Sequence, residues 1–268
     1  MRAFEDAGLP AGCLNLVSCA PQDAPEVVNA MIEHPAVRKI NFTGSTAVGR
    51  KIAAACGQNL KPCLMELGGK NSAIVCADAN IDTAVKGVLA GAYLNVSGLL
   101  MCPLSYSSSC LVTLVLQSGQ ICMSTDRILV HSAIAPVFVD ALKKALGSNF
   151  DPSSQPPTLV NIRSKSRVTD IVKDALAGGA HLIHGSVDQD SAEADNSVRM
   201  VPVLLGGVTE NMRVWQEEAF ASLAACMVVN SDDEAIRLAN GSGYGLSAAV
   251  FTEDLRKGLA MARKIQSG

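Results

Sequence analysis

The sequence predicts an α/β protein built on a parallel sheet, and three observations support this fold class. Short apolar segments alternate with amphipathic ones along most of the 268 residues, as in strands joined by crossover helices. Hydrophobic residues make up 49% of the chain and charged residues only 18%, which is enough apolar material for a sizeable core. Aromatic residues are scarce at 4%, and this favours helices packed closely on a sheet over an all-β sandwich.

The apolar periodicity predicts the individual elements. In the first part of the chain we expect strands at 14–17, 38–42 and 64–65, and helices at 24–33 and 47–56. After the turn at Gly68-Gly69 we expect further helices at 81–94, 135–146 and 164–177, the last of them ended by Gly178-Gly179. The later strands are predicted at 73–76, 128–130, 201–205, 224–229 and 248–251. The acidic segment 188–196 is predicted to be a surface loop.

Charge and cysteine usage exclude several classes of function. The net charge is −3 and no basic block occurs, so we do not expect nucleic acid as a partner. Four histidines lack metal-ligand spacing, and we therefore predict no metal site. Nine cysteines form no CxxC pair, which is typical of reduced thiols. Because charged residues follow Met1 where a signal peptide would be apolar, we expect a cytoplasmic chain.

The segment 96–117 does not fit the α/β pattern. It is apolar and rich in serine, without a clear helical or strand period. A membrane span needs about 20 consecutive apolar residues, whereas Pro103 and the polar run 105–109 interrupt this segment. We therefore expect no membrane association, and we treat the segment as an atypical insertion.

Two motifs in the first part of the chain suggest cofactor and acid–base chemistry. Gly44 and Ser45 form a turn between a predicted strand and a helix, and a helix N-terminus suits a pyrophosphate group. Glu66 precedes two glycines at the end of a strand, where partial burial would make it a general base. Each motif also has an ordinary interpretation, as a tight turn and as a strand-end acid.

Two motifs further on suggest covalent chemistry and ligand binding. Cys122 follows Gly119-Gln120-Ile121 among small and polar residues, and a thiolate there could attack a carbonyl carbon. Glu218 lies two residues before Phe220, an arrangement that could hold a sugar hydroxyl and support a ring. The ordinary alternatives are a buried structural cysteine and a surface acid followed by a core residue.

Taken in series, these motifs resemble the aldehyde dehydrogenase superfamily. The segments that carry the resemblance are FTGS at 42–45, ELGGK at 66–70, GQIC at 119–122 and EEAF at 217–220. Similarity continues in HPAVRKINFTGSTAVG and in YGLSAAVF. Within the superfamily, the chain looks closest to members that oxidise salicylaldehyde, vanillin and semialdehydes. The resemblance implies a partial Rossmann-type cofactor domain at 1–68 and an α/β catalytic domain at 69–268, incomplete at its C-terminus.

The resemblance also implies a role for each matching residue. Cys122 would attack an aldehyde, and Glu66 would activate the water that hydrolyses the resulting thioester. The cofactor, NAD or NADP, would contact seven residues: Gly44 and Ser45 at the pyrophosphate, Val48 at the adenine, Leu67 and Gly68 at the nicotinamide, and Glu218 with Phe220 at the nicotinamide ribose. The expected partner is a small aldehyde. Family members are habitually homo-oligomers, but we expect the oligomerisation strand to be absent from this chain.

The sequence departs from the family pattern in three ways. Family members extend further at both ends. The expected EEAFGP occurs here with Ala221-Ser222 in place of Gly-Pro, which puts the placement of Glu218 in question. Residues 96–117 are an extra segment relative to the family pattern, and they begin with Val-Ser and end with Gln. Val-Ser can be encoded by GTA-AGT and Gln by CAG, the usual start and finish of an intron, so the segment is either a retained intron read in frame or a genuine family insertion; sequencing the transcript tests this. These departures leave a second interpretation open, a catalytically inactive truncated or mis-spliced product.

Overall fold

The computed structural model describes residues 1–94, 119–150, 156–187 and 197–268. The chain divides into two compact units, Met1–Leu67 and Gly68–Gly268. The atypical insertion at 96–117 and the predicted acidic loop at 188–196 lie outside the described residues.

The first unit is a small two-stranded α/β unit. Its elements are α1 (Arg2–Asp6), α2 (Ala24–Glu33), β1 (Ile40–Thr43), α3 (Thr46–Gln58) and β2 (Cys63–Glu66). The two strands are parallel, with Ile40 opposite Cys63 and Thr43 opposite Glu66. A small core centred on Ile32, Ile52 and Cys56 joins α2 and α3 to the strands. The predicted helix at 24–33 and the predicted strands near 38–42 and 64–65 are therefore confirmed.

The prediction of a strand at 14–17 is wrong. Residues 15–17 have no regular secondary structure, and the side chains of Leu16 and Val17 are 78% and 69% exposed. A strand requires a neighbouring strand to pair with its backbone N–H and C=O groups. No such ladder includes this segment within the residues that the structure describes, so apolar composition alone does not make it a strand.

The second unit contains most of the regular structure. Its helices are α4 (Ile81–Leu89), α5 (Ala135–Asn149), α6 (Ile162–Ala177), α7 (Arg213–Gln216), α8 (Asp232–Asn240) and α9 (Leu255–Ala262). Its strands are β3 (Asn71–Val75), β4 (Thr125–His131), β5 (His181–His184), β6 (Val203–Gly206), β7 (Leu223–Val229) and β8 (Ala248–Phe251). The order across the sheet is β5-β6-β7-β4-β3-β8. All neighbouring strands in it are parallel except β5 and β6.

The sheet is covered on both faces, as expected for a parallel sheet. One apolar cluster includes Ile74, Leu129 and Leu205 and extends to residues of α6, α7, α8 and α9. The other includes Val75, Val130 and residues of α4 and α5. Neighbouring strand residues thus point alternately into two cores, which explains the nearly continuous apolar runs of the central strands. The predicted α/β fold class is confirmed.

The helix predicted at 81–94 is only partly α-helical. The α-helix ends at Leu89 and continues as one π-helical turn over Ala90–Leu94. A Cβ at position 91 would come within 2.8 Å of the Thr125 hydroxyl. The glycine therefore allows this widened turn to lie close to the start of β4. In the described part of the chain, no helix has both the length and the apolar character needed to cross a membrane.

Candidate active site

The motifs of the first unit lie where its strands end. Glu66 is the last residue of β2 and is exposed, so the partial burial expected from the sequence is not observed. Its backbone carbonyl accepts a hydrogen bond of 3.0 Å from Gly44 N–H. Ser45 is the N-cap of α3, and its hydroxyl accepts from Val48 N–H at 3.4 Å. The Val48 side chain is 45% exposed. Leu67 packs against helix α3, because a Cβ at Gly49 would overlap its side chain.

Residues 119–124, here termed the thiol loop, carry Cys122 to the amino end of β4. Cys122 is half-buried. Its backbone carbonyl accepts a hydrogen bond of 2.8 Å from the side-chain amide of Asn71, and that same amide nitrogen donates to the Ser124 carbonyl at 2.8 Å. The cysteine therefore lies on a turn whose backbone is fixed on both sides of Met123.

Two further residues hold the beginning of the thiol loop. Gly119 has a φ of +69°, and a Cβ there would overlap the Ala221 carbonyl. The side chain of Gln120 donates to the Thr158 carbonyl at 3.0 Å and accepts from Val160 N–H at 2.7 Å. At position 119, only glycine can adopt the positive φ and also lie so close to the Ala221 carbonyl. The sequence motif GQIC thus has a structural explanation for its first two residues.

Glu218 meets the glycine turn that precedes β3. Its carboxylate accepts a hydrogen bond of 3.2 Å from Gly69 N–H. A Cβ at Gly68 would overlap the same carboxylate, so the glycine makes room for it. Burial raises the pKa of Glu218, and the hydrogen bond from Gly69 opposes that rise.

The loop that carries Glu218 is held without the family Gly-Pro sequence. Arg167 of helix α6 donates to the carbonyls of Glu218 and Ala219, at 2.9 and 2.6 Å. Phe220 is 37% exposed and adopts a φ of +50°, an uncommon conformation for a residue with a side chain. Ser222 is buried, and its hydroxyl has no hydrogen-bond partner among the residues that the structure describes.

A buried charge cluster lies beneath these loops. Lys70 and Asp126 form an ion pair of 3.1 Å, and Asp126 also accepts from Ala219 N–H at 3.3 Å. Arg127 donates to the Lys70 carbonyl at 2.9 Å and lies 5.4 Å from the centre of the Trp215 ring. Burial lowers the pKa of Arg127 to about 10.

The sequence interpretation missed this cluster and Asn71. The available signal was an acid followed by a base inside the apolar strand TDRILVH. The register of β3 against β4 explains how Asp126 and Arg127 are both buried. Asn71 lies opposite Thr125 and Ser72 lies opposite Arg127, so Asp126 is the extra residue of a β-bulge.

The second unit gathers its motifs along one edge of the sheet. The glycine turn precedes β3, the thiol loop precedes β4, the Glu218 loop precedes β7, and Ser247 precedes β8. Because these four strands are parallel, their amino ends meet at the same edge. Of the predicted site residues, Gly68, Cys122, Glu218 and Phe220 belong to this unit, whereas Gly44, Ser45, Val48, Glu66 and Leu67 belong to the first.

No metal centre is found among the described residues, because no group of three or more His, Cys, Asp or Glu side chains is arranged to hold an ion. What the second unit offers instead is a half-buried thiol on a fixed turn and a partly buried carboxylate on the neighbouring loop. Such a site is suited to covalent attack by sulfur.

An α/β protein with a cysteine-bearing loop and a glycine-supported carboxylate at one sheet edge belongs to a recognisable class, and comparison with known proteins defines it. The model of the Aldehyde dehydrogenase family matches residues 1–98 and 105–268. The chain belongs to the aldehyde dehydrogenase family. The match is interrupted at 99–104, within the atypical insertion.

Curated relatives and solved structures agree with this assignment. The chain is 40% identical to a vanillin dehydrogenase of Pseudomonas sp. (strain HR199 / DSM 7063) and 36% identical to a salicylaldehyde dehydrogenase of Pseudomonas putida, in both cases over 100% of this chain and 50% of the relative. A salicylaldehyde dehydrogenase structure from Pseudomonas putida G7, complexed with salicylaldehyde, matches with a TM-score of 0.84 and 34% identity.

A solved structure of lower sequence identity contains a bound cofactor. The NADP-dependent glyceraldehyde-3-phosphate dehydrogenase of Bacillus halodurans C-125, complexed with NADP, has a TM-score of 0.81 and 26% identity. Both structures are matched over 100% of this chain and 50% of their own. The chain therefore spans about half the length of the relatives it matches.

Proposed function

We propose that this chain oxidises an aldehyde to a carboxylic acid with NAD or NADP, with Cys122 as the nucleophile and Glu66 as the general base. The observation that carries the proposal is the thiol loop, which holds a half-buried cysteine on a turn fixed by Asn71. Nucleophilic catalysis needs a positioned thiol that substrate can reach, and a fully buried structural cysteine would not meet this requirement.

The residues of the chain fit a dinucleotide cofactor. The N-terminus of α3, capped by Ser45, offers first-turn N–H groups to a pyrophosphate. The exposed side chain of Val48 offers an apolar surface to the adenine. The Glu218 carboxylate would accept hydrogen bonds from ribose hydroxyls. It occupies the space that a side chain at position 68 would need, so glycine is required there. We accordingly propose residues 1–68 as part of the cofactor domain and 69–268 as the catalytic domain.

The proposed reaction has two stages, formation of a thioester on Cys122 and hydrolysis of that thioester. Cys122 attacks as the thiolate: its sulfur forms a bond to the aldehyde carbon while the carbonyl π bond breaks, and the oxygen becomes the alkoxide of a thiohemiacetal. A nicotinamide held by the cofactor domain would supply the acceptor for the hydride that leaves this carbon, so that a thioester would remain on Cys122. Glu66 then takes a proton from water, which adds to the thioester carbon. The carbon–sulfur bond breaks, the acid departs, the thiolate is restored, and Glu66 releases its proton to solvent. The mechanism requires both side chains to reach the same carbonyl carbon.

We propose aromatic aldehydes as the substrate class. The relatives at 40% and 36% identity are a vanillin dehydrogenase and a salicylaldehyde dehydrogenase, and both named substrates are hydroxylated aromatic aldehydes. Succinic semialdehyde is the discriminating comparison, because it is aliphatic and carries a carboxylate. A lower KM for vanillin or salicylaldehyde than for succinic semialdehyde is the expected result.

The test is formation of NADH or NADPH with these aldehydes, comparing the unmodified chain with Cys122→Ala. Cys63→Ala is the matched control, because Cys63 is an exposed cysteine of the first unit. We expect Cys122→Ala to abolish activity, Glu66→Gln to lower kcat about 100-fold or more, and Cys63→Ala to have no effect. Full activity of Cys122→Ala would overturn the mechanism.

A second candidate is a catalytically inactive aldehyde dehydrogenase product with a residual binding role. The interruption of the family match at 99–104, upstream of the thiol loop, favours it. Absence of turnover in the unmodified chain, together with measurable binding of NADH, is the result that this alternative predicts.

A further inference from the structure

Asn71 connects the first residue of β3 to the thiol loop. Asn71 is buried, with only 5% of the residue exposed. The amide nitrogen donates to the carbonyls of Cys122 and Ser124, each at 2.8 Å, and the amide oxygen accepts from Ser247 N–H at 3.0 Å. Both N–H donors of the amide are thus used on the backbone of one turn.

The surroundings of Asn71 leave it little freedom. A Cβ at Gly69 would lie 2.5 Å from the Asn71 amide oxygen and 2.6 Å from the Cys122 carbonyl oxygen. Glycine at this position therefore allows the two groups to approach each other. The orientation of the amide is also determined, because the reverse orientation would turn its oxygen towards two carbonyl oxygens and its nitrogen towards the N–H of Ser247.

We infer that Asn71 is a positioning residue for the Cys122 thiol. It acts through the backbone: by fixing the carbonyls on either side of Met123, it sets the direction in which the Cys122 side chain leaves the turn. Ser247, at the amino end of β8, in turn holds the amide in place. The inference rests on the proposed function, since a fixed thiol direction matters when the sulfur must attack one carbonyl carbon. Misplacing a reacting group by about 1 Å can cost about 100-fold in rate.

The experiment uses Asn71→Ala and Asn71→Asp in the full chain. The aspartate keeps the shape and the acceptor for Ser247 N–H but presents oxygen to the two loop carbonyls. Asn240→Ala is the matched control, because the Asn240 side chain also bridges two backbone groups, the Lys264 carbonyl and Gln266 N–H, away from the thiol loop. We expect both Asn71 variants to lower kcat about 10- to 100-fold, with an unchanged KM for the cofactor, and the control to match the unmodified chain.

A second measurement does not depend on turnover. Iodoacetamide alkylation, followed by peptide mass spectrometry, gives a rate for each cysteine. With the turn released, we expect Cys122 to be alkylated about fivefold faster or more, while the exposed Cys13 and Cys63 keep their rates. The buried Cys76 and Cys226 report general unfolding and should stay unmodified.

The outcomes separate this inference from the proposed function. Unchanged kcat and unchanged Cys122 alkylation in both variants would overturn the role of Asn71. Alkylation of Cys76 and Cys226 together with Cys122 would do the same, because it would reveal a general structural role. If Cys122→Ala were fully active, the proposed function would fail, while a selective change at Cys122 in the Asn71 variants would still establish that Asn71 holds the loop.

Discussion

The Lys70 ammonium and the Asp126 carboxylate lie 3.1 Å apart, with side chains only 1% and 4% exposed. Burial lowers the pKa of Lys70 and raises that of Asp126, and the attraction between the two charges opposes both shifts. The carboxylate also accepts from Ala219 N–H, so the pair connects the glycine turn before β3 with the loop that carries Glu218.

Removing one member of this pair should destabilise the protein strongly. Asp126→Ala leaves the Lys70 charge buried without compensation, and we expect it to cost about 3–5 kcal/mol in the free energy of unfolding by urea. Asp140→Ala is the control, because its pair with Lys144 has side chains 62% and 75% exposed; it should cost less than about 1 kcal/mol. Equal costs for the two variants would refute the prediction, and Lys70→Met with Asp126→Leu should recover most of the loss.

Arg167 should determine how well the loop presents Glu218. Arg167→Ala removes both hydrogen bonds to the carbonyls of residues 218 and 219. If Glu218 binds the ribose as proposed, we expect NADH binding, measured by its fluorescence, to weaken about tenfold. Arg163→Ala, an exposed arginine on the same helix, should leave binding unchanged. Equal binding by the two variants would argue against this function of the loop.

Stability should respond to pH through Glu218. Its pKa is raised in the folded protein, so the folded state holds this proton more tightly than the unfolded state does. The contribution to stability is therefore fully present below the ordinary value of 4.5 and is lost as pH rises through the folded pKa. We expect Glu218→Gln to raise the Tm relative to the unmodified chain at neutral pH. At a pH far below 4.5, where Glu218 is protonated in both states, the gain in Tm should be smaller. A difference in Tm that is the same at both pH values would contradict this.

Leu60 occupies a backbone conformation that suits glycine. It follows helix α3 with a φ of 52°, and its N–H and that of Lys61 bond to the carbonyls of Gly57 and Cys56, as in a Schellman motif. Because its side chain is 92% exposed, little packing is lost on its removal. We expect Leu60→Gly to raise the free energy of unfolding by about 1 kcal/mol, whereas Leu60→Ala, which keeps a Cβ, should show no such gain.

Local pattern predicts most of this fold. The amphipathic period of Ala24–Glu33 gives α2 with its observed bounds, and Gly178 ends α6 as expected. Helix α8 was missed although Ser231 caps it and accepts from Glu234 N–H at 3.2 Å, a signal that the sequence contains. The edge strand β5 was also missed, since the short segment His181–His184 has little strand character of its own.

The site could be predicted only in part, because its contacts join distant segments. The motifs around Cys122 and Glu218 can be recognised in the sequence, because the chemical character of their residues suggests a nucleophile and a ligand-binding acid. The hydrogen bonds of Asn71 reach 51 and 53 positions along the chain. They depend on the register of β3 against β4, including its bulge, and a register of this kind follows from the packing of the whole sheet.

The most direct test of the account is trapping of an acyl group on Cys122. Glu66→Gln should allow attack and hydride transfer but slow hydrolysis, so incubation with vanillin and NAD should raise the mass of the chain by one acyl group. Peptide mapping should locate the group at Cys122, and hydroxylamine should remove it. An active Glu66→Gln variant that accumulates no adduct, or an adduct on another cysteine, would contradict the proposed roles of Cys122 and Glu66.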